Sequence, residues 1–193
     1  MKERPILFST PMVQAILEGR KTQTRRIIKP QPFKKDNIWE YTKKSHATVS
    51  PDKILDCPIP PIKCPYGAPG DVLWVRETFR LFKNDFYVYK ANYKFPEAFR
   101  WKPSIYMPKA AARLWLKITD LRVERLQDIT EQDAKSEGVE KYNDLFFKDY
   151  TNPENKFLCA KTSFTSLWES INGQESWEEN PWVWVVEFER IEK

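Results

Sequence analysis

A segment near the amino terminus concentrates side chains that could do chemistry. Residues 19–26 read Gly-Arg-Lys-Thr-Gln-Thr-Arg-Arg, which puts four cations and two threonine hydroxyls within eight residues. The neighbouring arginines disfavour the charged form of Lys21, and partial burial would lower its pKa further. Such a lysine can act as a base near neutral pH, with Thr24 as a weak nucleophile and Arg26 as an anion-binding group. The alternative interpretation is a solvated basic turn.

A helix directly before this segment would hold it in place. Ser9 or Thr10 can cap the helix, Pro11 suits its first turn, and Gly19 can end it in the left-handed conformation. The helix has an apolar side for burial, formed by Met12, Val13, Ile16 and Leu17. We therefore expect residues 19–26 to leave a packed helix and to continue as an extended strand.

The 19–26 segment resembles the signature of ASCH domains, small members of the PUA-like superfamily, which runs Gly-x-Lys-x-x-Glu-x-Arg. Gly19, Lys21 and Arg26 match this signature, and Thr24 stands in place of the glutamate. That difference is similar to one branch of the family, the bacterial N4-acetylcytidine amidohydrolases, which carry Gly-x-Lys-Thr-x-Thr-x-Arg. The resemblance implies a catalytic set made of the lysine, the second threonine and a glutamate from a later helix.

The later glutamate is identified by a second part of the resemblance. In the amidohydrolase branch it lies in a Leu-Thr-Glu-x-x-Ala-x-x-Glu pattern, and residues 129–137 here read Ile-Thr-Glu-Gln-Asp-Ala-Lys-Ser-Glu. Glu137 occupies the matching position. An anion in the last turn of a helix opposes the helix dipole unless a cation compensates it, and Lys21 or Arg26 could be that cation. Without the resemblance, Glu137 would be taken for an ordinary surface residue.

The whole chain resembles the larger ASCH proteins of phages and prophages, which share Trp-Val-Arg-Glu and Asn-Pro-Trp-Val-Trp-Val features. The resemblance leaves out residues 29–69, 80–110 and 141–160. It implies an α+β fold with a small, mixed, PUA-like β-barrel, flanking helices and inserted loops.

Periodicity predicts the elements around this barrel. Residues 113–126 form the longest strand candidate, and its apolar alternation changes parity at Thr119 and Asp120, which indicates a bulge or bend. Thr130 is a good N-cap for a short helix that ends at Gly138. A further helix is predicted from the helical spacing of apolar residues at 164–171. Residues 182–188 predict a central strand that is apolar on both faces.

Composition limits the classes of function. The 193 residues suit a single domain, 1–193, with a proline-rich insertion at about 29–69. The sequence has one histidine, His46, which nearly excludes histidine triads and multi-histidine metal sites. We expect Cys57, Cys64 and Cys159 to be free thiols, although a zinc site shared with His46 is conceivable. The expectation is a cytoplasmic protein without membrane span, metal or cofactor; the sequence does not address its oligomeric state.

The charge is distributed unevenly. Residues 1–44 carry eleven Lys and Arg against four Asp and Glu, whereas residues 128–193 carry seven against fifteen. A basic first part suits an anionic ligand, so RNA, a modified base or a nucleoside is the expected partner.

Several further residues are candidates for binding this ligand. Arg20 and Arg26 supply positive charge, and Trp39 and Trp74 could stack on a base, as Trp101 also could. Glu77 falls on a largely apolar strand face and needs a cationic partner. Glu77 is expected either to form a structural salt bridge or to pair with a cation of the 19–26 segment.

Three functions remain open from the sequence. The first is hydrolysis of an N-acylated cytidine-type amide by Lys21, Thr24 and Glu137. The second is a non-catalytic module that binds RNA or modified DNA, with a base received beside the barrel. The third is a ribonuclease that would use Lys21 and Arg26 against phosphate.

Overall fold

The computed structural model of the chain describes residues 1–35, 38–40, 63–82, 86–93 and 100–193, and for residues 33–40 the backbone alone. Much of the expected proline-rich insertion therefore lies outside the described residues. The same holds for His46, Cys57 and the side chain of Trp39.

The described part of the chain contains eleven strands and three α-helices. The helices are α1 (Thr10–Leu17), α2 (Glu131–Ser136) and α3 (Ala160–Asn172). The strands are β1 (Glu3–Leu7), β2 (Gln23–Ile27), β3 (Phe33–Lys35), β4 (Ile38–Glu40), β5 (Val72–Arg76), β6 (Phe79–Leu81), β7 (Tyr87–Tyr89), β8 (Trp115–Arg125), β9 (Phe147–Lys148), β10 (Lys156–Phe157) and β11 (Trp182–Ile191).

The main sheet has five strands in the order β1-β5-β8-β11-β2. β1 and β5 are parallel, and the other neighbours are antiparallel. The pairs β3–β4, β6–β7 and β9–β10 form separate two-stranded ladders. This mixed sheet with few helices confirms the α+β class.

The predicted irregularity in the long strand is confirmed. Asp120 pairs with Glu187 on β11 and Ile118 pairs with Phe188, so Thr119 is the extra residue between two adjacent partners. Such a bulge turns the side chains that follow it onto the opposite face. As a result, Leu121 packs against the same core as the buried Ile118.

Two hydrophobic cores lie on the two faces of the sheet, and β11 contributes to both. Trp184 and Val186 belong to the core that includes residues of α1, whereas Val183 and Val185 belong to the core that includes residues of α2 and α3. This double burial confirms the prediction of a central strand that is apolar on both faces.

The helix ends follow the predicted signals except at the start of α1, where the expected side-chain cap is not formed. Gly19 has a φ of 74° just after α1, and Thr130 and Asp133 form a reciprocal capping box at the start of α2. Ser9 occupies the N-cap position of α1 without a side-chain cap hydrogen bond. β2 therefore starts directly after a firmly terminated helix, at one edge of the sheet.

Candidate functional site

A buried ion pair joins the two parts of the chain that the sequence analysis singled out. Lys21 and Glu137 form an isolated antiparallel bridge through their backbones. Lys21 Nζ donates hydrogen bonds to the carbonyl oxygen and to Oε2 of Glu137, each at 2.8 Å. The two side chains are 1% and 5% exposed. Glu137 therefore has a cationic partner at the end of α2, where a lone anion would be unfavourable.

The ammonium group of Lys21 is destabilised by its surroundings. Burial is the main cause that lowers the pKa of Lys21 below its ordinary value of 10.5. The charges of Arg26 and Arg25 act in the same direction, while the carboxylate of Glu137 opposes them. The neutral form of the amine is thus reached at a lower pH than in an exposed lysine. A general base requires this neutral form.

The contact between the two segments depends on a glycine. Gly138 has a φ of 85°, and a Cβ atom built on it would lie 2.8 Å from Lys21 Cβ and 3.0 Å from Ala15 Cβ. Only glycine tolerates both the backbone angle and this close approach. The residue that ends α2 therefore also allows Lys21 to reach Glu137.

Arg25 is a part of the site that the sequence analysis did not single out. Its side chain is 0% exposed and contacts three carboxylates: Glu137 Oε1 at 3.3 Å, Glu124 Oε2 at 3.0 Å and Asp133 Oδ2 at 3.4 Å. Arg25 thus fixes the second oxygen of the Glu137 carboxylate. Strand alternation was the available signal for a separate role of Arg25. It predicts that Arg25 points to the face of β2 opposite to that of Thr24 and Arg26.

The carboxylate of Asp133, one of the three around Arg25, is held in its charged form. Burial acts to raise the pKa of Asp133, but hydrogen bonds from Thr130 and the charge of Arg25 outweigh it, so the pKa lies below 3.8. Asp133 also accepts a hydrogen bond from Arg122 Nη2 at 3.1 Å. Arg25, Arg122 and the carboxylates that they contact therefore form a network of alternating charges behind Glu137.

Thr24, Arg26 and Glu137 all line one cavity, which we call the Thr24 cavity. Its volume is about 320 Å³, at the lower end of the usual range for small-molecule sites. Thr24 is buried on β2 opposite Val186. The guanidinium of Arg26 lies 5.3 Å from the centre of the Phe8 ring, and its Nη2 donates to the carbonyl oxygen of Leu7 at 2.6 Å.

Helix α3 supplies the apolar wall of the Thr24 cavity. The residues that predicted an amphipathic helix all line it, namely Phe164, Leu167, Trp168 and Ile171. Their spacing was interpreted as a core-facing helix side, and only the fold reveals that this side also borders a cavity. The indole Nε1 of Trp168 is buried and has no hydrogen-bond partner in the described part of the chain. A buried donor of this kind favours a ligand with an acceptor atom.

Other predicted binding residues lie elsewhere. Arg20 pairs with Glu18 at 2.6 Å and donates to the carbonyl oxygen of Gly138, outside the lining of the Thr24 cavity. Glu77 forms two hydrogen bonds with Arg113, at 2.8 and 2.9 Å, so its partner is not a cation of the 19–26 segment.

The two tryptophans proposed to stack on a base are not found at the cavity either. Trp74 lies on β5 beside Arg76, with 5.6 Å between the guanidinium and the ring centre, and it does not line the Thr24 cavity. The side chain of Trp39 lies outside the described residues. Binding of a ligand by either residue therefore stays a prediction.

The described residues offer no ready metal site. Among them no group of three or more His, Cys, Asp or Glu side chains is placed to hold a metal ion. The carboxylates near Glu137 are instead shared by Arg25 and Arg122. Cys64 is buried and Cys159 exposed, and both are free thiols.

Chemically, the site combines a buried amine, a carboxylate and a hydroxyl next to a cavity with an aromatic wall. The Lys21–Glu137 contact provides a short path for a proton, and Thr24 is placed at the surface a ligand would touch. Arg26 and Trp168 line the same cavity. This arrangement suits proton transfer and nucleophilic attack.

No match is found to any model of a known protein family, to any curated protein or to any solved structure. Across the described ranges, no helix has the length and apolar character needed to cross a membrane.

Proposed function

We propose that this chain is an ASCH-type member of the PUA-like superfamily that hydrolyses the N-acyl amide of a cytidine-type base or nucleoside. The observation that carries the proposal is the buried contact of 2.8 Å between Lys21 and Glu137 at the cavity that Thr24 lines. These are the three residues that the resemblance to the amidohydrolase branch assigns to catalysis. The reaction needs no metal, since the three side chains supply base, nucleophile and acid.

In the first step the neutral amine of Lys21 takes the proton of the Thr24 hydroxyl. The Thr24 oxygen attacks the acyl carbonyl carbon, and a bond forms between them. The carbon–nitrogen bond then breaks, and the proton passes from Lys21 through Glu137 to the leaving amine of the cytosine ring. The contact between Lys21 Nζ and Glu137 Oε2 is the path for this proton.

In the second step water releases the acyl group. A water molecule attacks the ester carbonyl, Lys21 accepts its proton, and the Thr24 oxygen leaves and is reprotonated. The products are a carboxylic acid and the free cytosine amine, so one water is consumed for each amide bond broken. Arg25 keeps the carboxylate of Glu137 in position throughout, because it contacts the other oxygen.

Two donors would bind the substrate in the Thr24 cavity. Arg26 is placed to stabilise the negative charge that develops on the acyl oxygen. Trp168 Nε1 is suited to an acceptor on the base, and the Phe164 ring beside it offers apolar contact.

A non-catalytic module that binds a base is the second candidate. The aromatic wall formed by α3 and the unpartnered donor of Trp168 favour binding of a planar base, whether or not a bond is broken. The third candidate, a ribonuclease acting through Lys21 on phosphate, is less favoured because Lys21 is buried and paired with Glu137.

The test is incubation of the purified protein with N4-acetylcytidine, with cytidine release followed by chromatography. We expect conversion by the wild-type protein and none by Lys21→Ala. A control, Lys117→Ala, removes an exposed lysine that pairs with Glu189 and should convert the substrate normally. Binding of the nucleoside without conversion by clean wild-type protein would favour the second candidate.

A further inference from the structure

A second feature suited to ligand binding lies away from the Thr24 cavity. Arg100, Trp101, Lys102, Pro103 and Tyr106 line an open groove of about 610 Å³, which we call the 100–106 groove. Tyr106 is 71% exposed. The adjacent Ile105 is 59% exposed as well, so neighbouring apolar side chains share this surface with the cations of the groove.

The groove is held by a rigid support. Lys102 exchanges backbone hydrogen bonds of 2.8 and 3.1 Å with Phe79 on β6. Met107, directly after Tyr106, is 1% exposed and packs with Phe79 and Ala111. The buried Met107 anchors the 3₁₀ turn Ser104–Tyr106, so the exposure of Tyr106 is fixed by the fold.

Positive charge dominates this part of the molecule. Among the described residues of 74–113 the acidic one is Glu77, which is buried and paired with Arg113. The cations in the same ranges include Arg76, Arg100 and Lys102. A surface with this balance attracts a polyanion.

A path of contacts joins the groove to the Thr24 cavity. Arg26, at the cavity, donates to the carbonyl oxygen of Leu7 at 2.6 Å. Leu7 on β1 pairs with Arg76 on β5. Arg76 Nη2 in turn donates to the carbonyl oxygen of Ile105, which precedes Tyr106. Cations therefore lie at intervals from the cavity to the groove.

We propose that the 100–106 groove binds single-stranded nucleic acid. A base stacks on the ring of Tyr106, and the phosphates contact Arg76, Arg100 and Lys102. The combination of exposed ring and cations fits a strand with bases better than a simple polyanion, because stacking on aromatic rings holds unpaired bases without sequence preference. RNA and DNA share this chemistry.

This inference deepens the proposed function by identifying the substrate as a nucleotide within a strand, with its base in the Thr24 cavity. The strand surface itself does not depend on hydrolysis. Binding is therefore measured with unmodified oligonucleotides, so that a protein without hydrolase activity still reveals the groove. If the protein converts free N4-acetylcytidine but binds no oligonucleotide, the groove proposal is wrong and the proposed function stands.

The test is fluorescence anisotropy with labelled single strands of about 12 nucleotides, within the usual site size. RNA, DNA and an abasic DNA of equal length are compared at several salt concentrations. We expect Tyr106→Ala to weaken binding roughly tenfold, and Lys102→Ala to reduce the slope of log K against log salt by about 0.7. The RNA and DNA arms identify the natural class of strand.

Matched controls come from a similar pair elsewhere on the surface. Tyr142 is 60% exposed, and Lys156 lies 3.7 Å from its ring centre. Tyr142→Ala and Lys156→Ala should leave affinity and salt slope unchanged. Equal effects of the control and groove variants would overturn the proposal. Equal affinity for the abasic strand, or no binding of any strand at low salt, would do so as well.

Discussion

Lys21 Nζ lies 2.8 Å from Glu137 Oε2, although 116 positions separate the two residues in the sequence. The contact arises because the turn after α1 and the end of α2 are joined through backbone as well as side-chain atoms. Thr22 N also donates to the carbonyl oxygen of Ser136 at 2.9 Å. Two short, glycine-terminated helices thus bring a base and an acid together beside the Thr24 cavity.

Removal of one charge from this pair should destabilise the fold. Glu137→Gln leaves the buried Lys21 without a carboxylate, and breaking a buried ion pair in this way costs about 3–5 kcal/mol. The measurement is the free energy of unfolding from urea titration at neutral pH. Glu189→Gln is the matched control, because it breaks the exposed contact with Lys117 and should cost less than about 1 kcal/mol. Equal costs for the two variants would show that the buried pair contributes nothing special.

Gly138→Ala should disturb the site by steric contact. The added Cβ would meet Lys21 Cβ at 2.8 Å, and the φ of 85° adds backbone strain. Gly19→Ala has a similar φ of 74° but nothing within 4 Å of its Cβ, so it should cost only about 1–2 kcal/mol. We expect a larger loss of stability for Gly138→Ala in the same urea titration. A loss no larger than that of Gly19→Ala would mean that the close approach is easily relieved.

Trp168→Phe should weaken ligand binding while keeping the aromatic wall. The substitution removes the buried Nε1 donor, and loss of one hydrogen bond of about 1 kcal/mol lowers affinity roughly fivefold. The measurement is calorimetric titration with cytidine, the expected product. Trp177→Phe is the control, since Trp177 packs against Phe164 with 6.4 Å between ring centres but does not line the cavity. Unchanged affinity in Trp168→Phe would show that Trp168 Nε1 does not bind the ligand.

The rate of hydrolysis should rise with pH. Neutral Lys21 is the reactive form, and its fraction increases as the pH passes through the lowered pKa of Lys21, below 10.5. Arg26→Gln removes a charge that lowers this pKa, so the rising limb should move to higher pH. The check is kcat measured against pH with N4-acetylcytidine. A limb that stays in place, or a rate that falls as pH rises, would argue against Lys21 as the base.

Much of the frame could be predicted from local signals in the sequence. The parity change at Thr119, the capping box of Thr130 and the glycine end of α1 are all short-range features, and the structure has each of them. Such features depend on neighbours within a few residues, so that the sequence displays them directly. The α+β class was implied by the family resemblance, and the predicted strands and helices are consistent with it.

The composition of the site was harder to predict. Its wall comes from α3 and its charge network from Arg25 with Glu124, contacts that depend on how distant segments pack. Helical spacing indicates an apolar side, but does not distinguish a core from a cavity wall. Glu77 illustrates the same limit. The sequence indicated that Glu77 needs a cationic partner but did not identify Arg113 as that partner.

The central claim is that the Thr24 hydroxyl attacks the acyl group, and turnover by Thr24→Val tests it most directly. Valine keeps the shape of the side chain and removes only the hydroxyl. Thr22→Val is the matched control, because Thr22 is exposed and does not line the cavity. We predict that folded Thr24→Val releases no cytidine from N4-acetylcytidine, while Thr22→Val turns over at the wild-type rate. Release of cytidine by Thr24→Val at the wild-type rate would contradict the account.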